Sequence, residues 1–173
     1  EEFFHEYKII DEMYSTAKYY SAESLLKLGR KDEAAIGFEN LVKNYNWSNY
    51  RDKALYNLGI IYFNSGKYEL SRTRLKNLLN DYPESEFYGN SLYWVGESYS
   101  AENKPEEAIQ FLEEAVADKR NKKFADYSLY TLANAYEKIG DYNNAVKYYD
   151  QLLTYYKNST LATSSQIRIG ICY

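Results

Sequence analysis

The stretch that decides the fold is residues 58–78, which read LGIIYFNSGKYELSRTRLKNL, because its pattern returns along the chain every 37 residues. The turn residue Gly66 recurs in the other copies as Gly29, Asn103 and Gly140. A small residue follows each of these anchors by five positions, and apolar residues follow by nine and twelve. A fixed period of this length predicts stacked repeats, in which each unit buries its apolar face only against its neighbours.

Each repeat predicts a pair of helices on either side of its turn residue. In the second copy, Leu58, Ile61 and Tyr62 precede Gly66 at helical spacing, and Leu75 continues the pattern after it. Glycine suits the turn because a helix commonly ends on a residue in the left-handed conformation, and asparagine is the common substitute. We therefore predict an all-α fold, a right-handed α-solenoid of stacked antiparallel helix pairs.

The register also predicts the boundaries of the repeats. They fall at about 15–51, 52–88, 89–125 and 126–162, within a single domain over residues 1–173. Residues 163–173 continue the columns and predict the start of a fifth repeat. Its isoleucines, Ile167, Ile169 and Ile171, would lack the helix that covers such positions elsewhere, which leaves self-association through this edge open.

Residues 1–14 predict one more helix, because their large apolar side chains share one helical face. These side chains are Phe3, Phe4, Tyr7, Ile10 and Tyr14. The segment is either the second helix of an earlier, truncated repeat or a capping helix. Extending the register puts Phe4 on the column of Leu41 and Leu78, which favours the former.

Packing inside each repeat follows from two columns. Small residues at Gly59 and Gly96 predict a close approach of the paired helices, and one bulky residue per repeat fills the remaining gap. The bulky residues are Phe38, Leu75, Leu112 and Tyr149.

Polar residues and prolines predict several helix starts. Asp32 and Asp141 are placed to cap the second helices of their repeats, and Pro105 is placed in the first turn of another. After Pro83, Ser85 is placed to cap the helix that follows.

Composition excludes several classes of function. The chain has a net charge of −4 and a pI near 5.2, so it carries no basic field for nucleic acid. The basic run 119–123 falls between repeats and is typical of a solvated loop. No apolar stretch is long enough to span a membrane. The single cysteine, Cys172, excludes an internal disulfide and is interpreted as a small buried hydrophobe.

The sequence does not predict an enzyme. His5 is the only histidine, and the pairs 106–107 and 113–114 are adjacent glutamates that diverge around a helix and are typical of a solvated face. We recognise no phosphate-binding glycine loop, serine elbow or metal-ligand spacing. We therefore expect no cofactor and no metal.

The repeats resemble the tetratricopeptide repeat family, whose usual period is about 34 residues. The second repeat carries the pattern with Gly59, Tyr62, Gly66, Tyr68, Ser71, Leu75, Leu78 and Pro83. The third carries it with Gly96, Tyr99, Asn103, Ala108, Leu112 and Ala115, and the fourth with Ala133, Tyr136, Gly140, Tyr142, Ala145 and Tyr149. The longer period and the run 91–99 are similar to the repeats of bacterial cell-envelope proteins, namely the Tol-Pal-associated periplasmic coordinator and the lipoprotein subunit of the outer-membrane β-barrel assembly machine.

This resemblance implies a concave groove lined by the first helix of each repeat, where a protein or peptide partner would bind. The outward positions are a column of tyrosines, Tyr19, Tyr56, Tyr93 and Tyr130, with Glu23, Ile60, Phe63, Glu97 and Asn134 beside them. Aromatic side chains are common at protein interfaces, so the column favours partner binding. The same tyrosines are also interpreted as packing residues against the next helix. Capture of a C-terminal carboxylate is disfavoured because tyrosine replaces the first of the lysine, asparagine and arginine residues which that function requires.

Two functions stay open at this point. The first is a non-catalytic scaffold in bacterial cell-envelope assembly or division, located in the periplasm or at the envelope. The alternative is a regulatory or sensor module of a larger intracellular protein. A weaker third hypothesis is a substrate-presenting domain of a modifying enzyme.

Overall fold

A computed structural model describes the backbone of residues 2–173 and the side chains of residues 11–173. Within this part of the chain the backbone forms nine helices and no strand. The helices are α1 Glu2–Lys27, α2 Lys31–Asn44, α3 Arg51–Asn64, α4 Tyr68–Asp81, α5 Tyr88–Ala101, α6 Pro105–Ala117, α7 Ala125–Lys138, α8 Tyr142–Tyr155 and α9 Ala162–Cys172. Each odd-numbered helix up to α7 packs against the helix that follows it. The predicted all-α architecture of helix pairs is confirmed.

The four anchor residues adopt the left-handed backbone that the sequence predicts. Their φ angles are 78° at Gly29, 71° at Gly66, 81° at Gly140 and 57° at Asn103. The amide of the residue after each anchor bonds back five positions, as Lys67 N does to Tyr62 O at 2.9 Å. This bond satisfies a carbonyl at the helix end and fixes the turn between the paired helices.

The predicted close approach of the paired helices is confirmed at two glycines. A Cβ on Gly59 would lie 2.4 Å from Leu75 Cδ2, and one on Gly96 would lie 2.5 Å from Leu112 Cγ. These distances are below van der Waals contact, so only glycine fits without movement of the leucine. The filler residues Phe38, Leu75, Leu112 and Tyr149 are all 0% exposed, as predicted.

Helix starts follow the predictions in part. Asp141 caps α8 by accepting a bond from Asn144 N at 3.1 Å, and Pro105 is the first residue of α6. The expectation for Asp32 is wrong, because α2 begins at Lys31 and its cap makes no side-chain bond.

Ser85 does not cap the following helix, whose N-cap is Phe87. Its hydroxyl instead donates to Asp52 Oδ2 at 2.7 Å. Ser159 makes the equivalent bond to Asp126 Oδ2 at 2.6 Å. A serine in the turn after a helix pair therefore fastens that turn to the first helix of the same pair.

The chain divides into two compact units, Glu1–Ser85 and Glu86–Tyr173, which are described separately below. The first unit contains the first two repeats, and the second contains the next two with α9. Residues 2–14 belong to α1, which continues without a break to Lys27, so the expected N-terminal helix is part of the first repeat's first helix. The side chains of Phe3, Phe4, His5, Tyr7 and Ile10 lie outside the described residues.

The last helix presents one half-buried and two exposed isoleucines. Ile169 and half-buried Cys172 pack against the core of the second unit at Ala133 and Tyr149, so Ile169 is not left uncovered as expected. Ile167 is 61% exposed and Ile171 60% exposed.

Among the described residues, no helix has both the length and the apolar character that a membrane crossing requires.

Candidate functional site

Three aromatic rings join the two repeats of the first unit. Tyr19 and Tyr20 lie on α1, and Tyr50 stands directly before α3. The Tyr19 and Tyr50 rings stack with centroids 4.7 Å apart and planes inclined by 21°. Tyr20 meets Tyr50 edge to face at 5.6 Å, and their hydroxyl oxygens are 3.4 Å apart. We call these three residues the first aromatic triad.

The second unit contains the same arrangement 74 residues later, in Tyr93, Trp94 and Phe124. Tyr93 and Phe124 stack at 4.9 Å with planes inclined by 12°, and Trp94 meets Phe124 edge to face at 5.1 Å. We call these residues the second aromatic triad. Tyr127, which is 42% exposed, adds a ring at 6.3 Å from Phe124.

These contacts correct the expectation that the tyrosine column faces outward. Tyr19 and Tyr93 are each only 5% exposed, because the aromatic residue before the next repeat's first helix covers them. Tyr56 and Tyr130 are half-buried, and Tyr130 lies edge to face with Tyr149 at 5.6 Å. Tyr19 and Tyr93 therefore pack between successive repeats, and Tyr130 packs within its own repeat.

The two covering residues, Tyr50 and Phe124, belong to a repeating column of the sequence that the column analysis missed. Tyr50, Phe87, Phe124 and Leu161 stand 37 residues apart, each as the N-cap of a first helix. Conversely, Tyr20, which was not a predicted site residue, is 49% exposed. In the first aromatic triad the accessible ring is thus that of Tyr20, the sequence neighbour of the predicted site residue Tyr19.

Glu23, a predicted site residue, is held by bonds on its own helix. It accepts from Lys27 Nζ at 2.8 Å and from Tyr19 Oη at 3.3 Å. Asn57 Nδ2 of α3 donates to the same phenol oxygen at 3.4 Å. Burial raises the pKa of Tyr19 to about 12, with Glu23 adding to the effect, whereas the bond from Lys27 lowers the pKa of Glu23.

Glu97 occupies the corresponding position on α5. It accepts from Thr131 Oγ1 of α7 at 2.9 Å, which links the two repeats of the second unit. Burial raises the pKa of Glu97, while the bond from Thr131 and the charge of Lys138 act in the opposite direction. Asn134, also a predicted site residue, is half-buried on α7.

The remaining predicted residues, Ile60 and Phe63, are half-buried on α3. The Phe63 ring lies edge to face with Tyr68 of α4 at 5.3 Å, across the turn at Gly66. This contact braces the helix pair and leaves only part of the ring accessible.

The first unit has an open pocket of about 680 Å³ next to its aromatic triad. Its walls come from α1 and from the start of α3, and its lining is Glu12, Met13, Thr16, Ala17, Asn49, Tyr50 and Lys53. Met13 is 68% exposed, and Asn49 Nδ2 donates to Glu12 Oε1 at 2.6 Å across the pocket rim. We call it the α1–α3 pocket.

None of the nine predicted site residues lines the α1–α3 pocket. The pocket lies beside the middle of α1 and the start of α3, and part of its lining comes from columns that are chemically variable. Thr16 and Lys53, for example, share one column. Column periodicity selects shared residues, so it passes over such positions.

The lining of the α1–α3 pocket combines apolar side chains with polar and charged ones, a combination suited to binding a side chain. Among the described residues, no group of three or more His, Cys, Asp or Glu side chains is placed to hold a metal ion.

Sequence and structure comparisons agree on the repeat type. Sequence models described as Tetratricopeptide repeat match residues 50–121 in one case and residues 16–45 and 127–159 in another. Together these matches span most of the chain. A comparison with curated protein sequences finds no match.

Several solved structures share the fold at low sequence identity. A crystal structure of MamA protein superposes with a TM-score of 0.77 at 19% identity, covering 92% of this chain and 80% of that one. A Podosopora anserina kinesin light chain protein with TPR-like repeats gives 0.67 at 18%, covering 91% and 84%. YrrB, described as a TPR protein with an unusual peptide-binding site, gives 0.72 at 15%, covering 90% and 74%.

Proposed function

Because the chain belongs to the tetratricopeptide repeat family, we propose that it is a non-catalytic scaffold that binds a peptide or protein partner through the first helices of its repeats. The observation that carries this proposal is the α1–α3 pocket beside an exposed aromatic ring. Tyr20, whose ring contacts the lining residue Tyr50, is 49% exposed, and Met13 offers a flexible apolar side chain in the pocket itself. A partner would insert one or two apolar side chains between α1 and α3.

Polar groups around the pocket give the partner's backbone a place to bond. Asn49 and Glu12 form one side of the rim, and the phenol oxygens of Tyr20 and Tyr50 lie within 3.4 Å of each other next to it. Tyrosine suits such a position because its ring packs while its hydroxyl donates or accepts. YrrB, which has a peptide-binding site by its description, is similar in fold and supports a peptide as the bound species.

A random peptide library displayed on phage tests this proposal. Binders selected on the wild-type chain are measured again on Ala17→Arg, which places a long charged side chain in the pocket from an exposed position of α1. We expect the selected peptides to lose at least about tenfold in affinity, because the pocket is filled. Ala101→Arg, at an exposed position on α5, is the matched control.

Two results would overturn the pocket assignment. One is a set of selected peptides that bind Ala17→Arg as tightly as the wild-type chain. The other is equal loss in Ala17→Arg and Ala101→Arg, which would indicate a general effect of added positive charge. Circular dichroism confirms that both variants remain folded.

We propose further that the scaffold acts in bacterial cell-envelope assembly or division. This location rests on the sequence resemblance of the long repeats and the run 91–99 to envelope proteins. Fractionation of the source cells with an antibody against residues 11–173 tests it. Recovery with the envelope or periplasmic fraction supports the envelope role, and recovery with the cytosol supports the alternative, a regulatory or sensor module of an intracellular protein.

A further inference from the structure

A second groove of the first unit lies between the turns that follow α2 and α4. Its volume is about 500 Å³. Its apolar side is formed by Trp47, Tyr82 and Pro83, and its charged side chains are Asp52, Asp81 and Glu84. We call it the inter-turn groove. It is distinct from the α1–α3 pocket, although Asn49 lines both.

Trp47 is the unusual residue of the inter-turn groove. It is 55% exposed, and it is held in place by an edge-to-face contact with Tyr45 at 5.7 Å. The equivalent positions in the later repeats are Glu84, Asn121 and Asn158, so no repeat rule requires an aromatic residue here. A fixed and exposed tryptophan is the side chain most enriched at the centre of binding sites.

All charged residues that line the inter-turn groove are acidic. Asp81 is paired with Arg51 at 3.1 Å, so its charge is largely compensated. Asp52 is oriented by bonds from Ser85 Oγ at 2.7 Å and from the amide of Lys53 at 2.7 Å. Both donors are neutral groups, and the carboxylate oxygens of Asp52 can accept further bonds.

We propose that the inter-turn groove binds a basic segment of a partner protein. An arginine or lysine side chain lies against the indole of Trp47, where the ring attracts a cation. Its charged end meets Asp52 and Glu84, and its methylene stem packs along Tyr82 and Pro83. The charge of the lining favours this occupant over an acidic or purely apolar segment.

A labelled peptide tests the proposal directly. A fluorescein-labelled decapeptide of alternating arginine and glycine is titrated with the chain, and binding is followed by fluorescence anisotropy. We expect saturable binding that weakens at least about threefold between 50 and 300 mM salt. The same peptide with glutamate in place of arginine is expected not to bind.

Tryptophan emission locates the bound peptide. The chain has 2 tryptophans, so an emission change on adding the unlabelled arginine peptide that disappears in Trp47→Phe reports on the groove and not on Trp94. Trp47→Leu is expected to weaken binding by about two- to fivefold, the size of an exposed cation–π contact.

Paired charge variants separate a local site from the overall negative charge. Asp52→Asn combined with Glu84→Gln removes two charges from the groove, and we expect a loss of about five- to tenfold in affinity. Glu106→Gln combined with Glu107→Gln removes two exposed charges from α6 and is expected to change affinity little. Equal losses in both pairs, equal binding of the glutamate peptide, or an emission change that persists in Trp47→Phe would overturn the proposal.

Discussion

The ring of Phe124 stacks on the ring of Tyr93 with centroids 4.9 Å apart and planes inclined by 12°. Tyr93 lies on the first helix of one repeat, and Phe124 stands directly before the first helix of the next. The first unit repeats the contact between Tyr19 and Tyr50 at 4.7 Å. In each unit, therefore, a stacked aromatic pair joins successive repeats.

Phe124→Ala is expected to lower the free energy of unfolding by about 2–3 kcal/mol, because it removes both the stacked contact with Tyr93 and the edge contact with Trp94. Urea denaturation followed by circular dichroism measures the change. Tyr127→Ala is the control: its ring is 42% exposed and contacts Phe124 only at its edge, so a loss below about 1 kcal/mol is expected. If the two variants lose the same free energy of unfolding, the stacking of Phe124 on Tyr93 does not stabilise the contact between the repeats as we describe.

Gly59→Ala is expected to destabilise the chain by about 1–3 kcal/mol, although alanine is the better helix former by about 1 kcal/mol. The reason is that the added Cβ would lie 2.4 Å from Leu75 Cδ2. Gly170→Ala provides a matched control on α9, where no atom lies within 4 Å of the added Cβ. There the same substitution should raise stability slightly. The prediction fails if both glycines respond alike in urea denaturation.

The fold was predictable from sequence because the anchors and the packing columns obey the same period. The left-handed turn at Gly66 and the close approach of Gly59 to Leu75 each restrict the residue type. Both restrictions therefore recur at a fixed spacing in the sequence. Which side of a first helix stays exposed was less predictable. Tyr19 and Tyr20 are adjacent, and only the position of Tyr50, 31 residues after Tyr19, decides which ring is covered.

Helix caps were also only partly predictable, because they depend on contacts with residues far away in the sequence. Ser85 has the residue type and position of a helix cap, yet its hydroxyl bonds to Asp52, 33 residues earlier. The α1–α3 pocket was missed for a related reason. Its lining residues Thr16 and Lys53 share a column that continues with Asn90 and Tyr127, so no common residue type marks that column in the sequence.

Asn103 is the one anchor that is not glycine. Its φ of 57° is energetically unfavourable for a residue with a Cβ, although asparagine adopts it more readily than most. Asn103→Ala is expected to lower the free energy of unfolding by about 1 kcal/mol, because alanine resists this conformation more than asparagine does. Asn103→Gly should keep or raise stability by up to about 0.5 kcal/mol. Thermal unfolding of the two variants checks the order, and a glycine variant less stable than the alanine variant would contradict it.

Glu97 provides a prediction about pH. Burial raises its pKa in the folded chain above the value in the unfolded chain, so ionising it costs stability. Below the unfolded pKa the carboxyl is protonated in both states and this cost is absent. The cost grows as the pH rises through the unfolded pKa and is complete above the folded one. Glu97→Gln keeps an acceptor for Thr131 Oγ1 and cannot ionise.

We therefore expect Glu97→Gln to be more stable than the wild-type chain at neutral pH, with a difference that shrinks on acidification below the unfolded pKa. Urea denaturation at both conditions measures the difference, and Glu107→Gln, exposed on α6, controls for the loss of one negative charge. The buried position is decisive here, since an exposed glutamate has no desolvation cost to relieve. Two results would contradict this prediction. One is a Glu97→Gln chain that is less stable than the wild-type chain at neutral pH, which would show that the bond to Thr131 outweighs the cost of burying the charge. The other is a difference in the free energy of unfolding that is the same at neutral and at acidic pH.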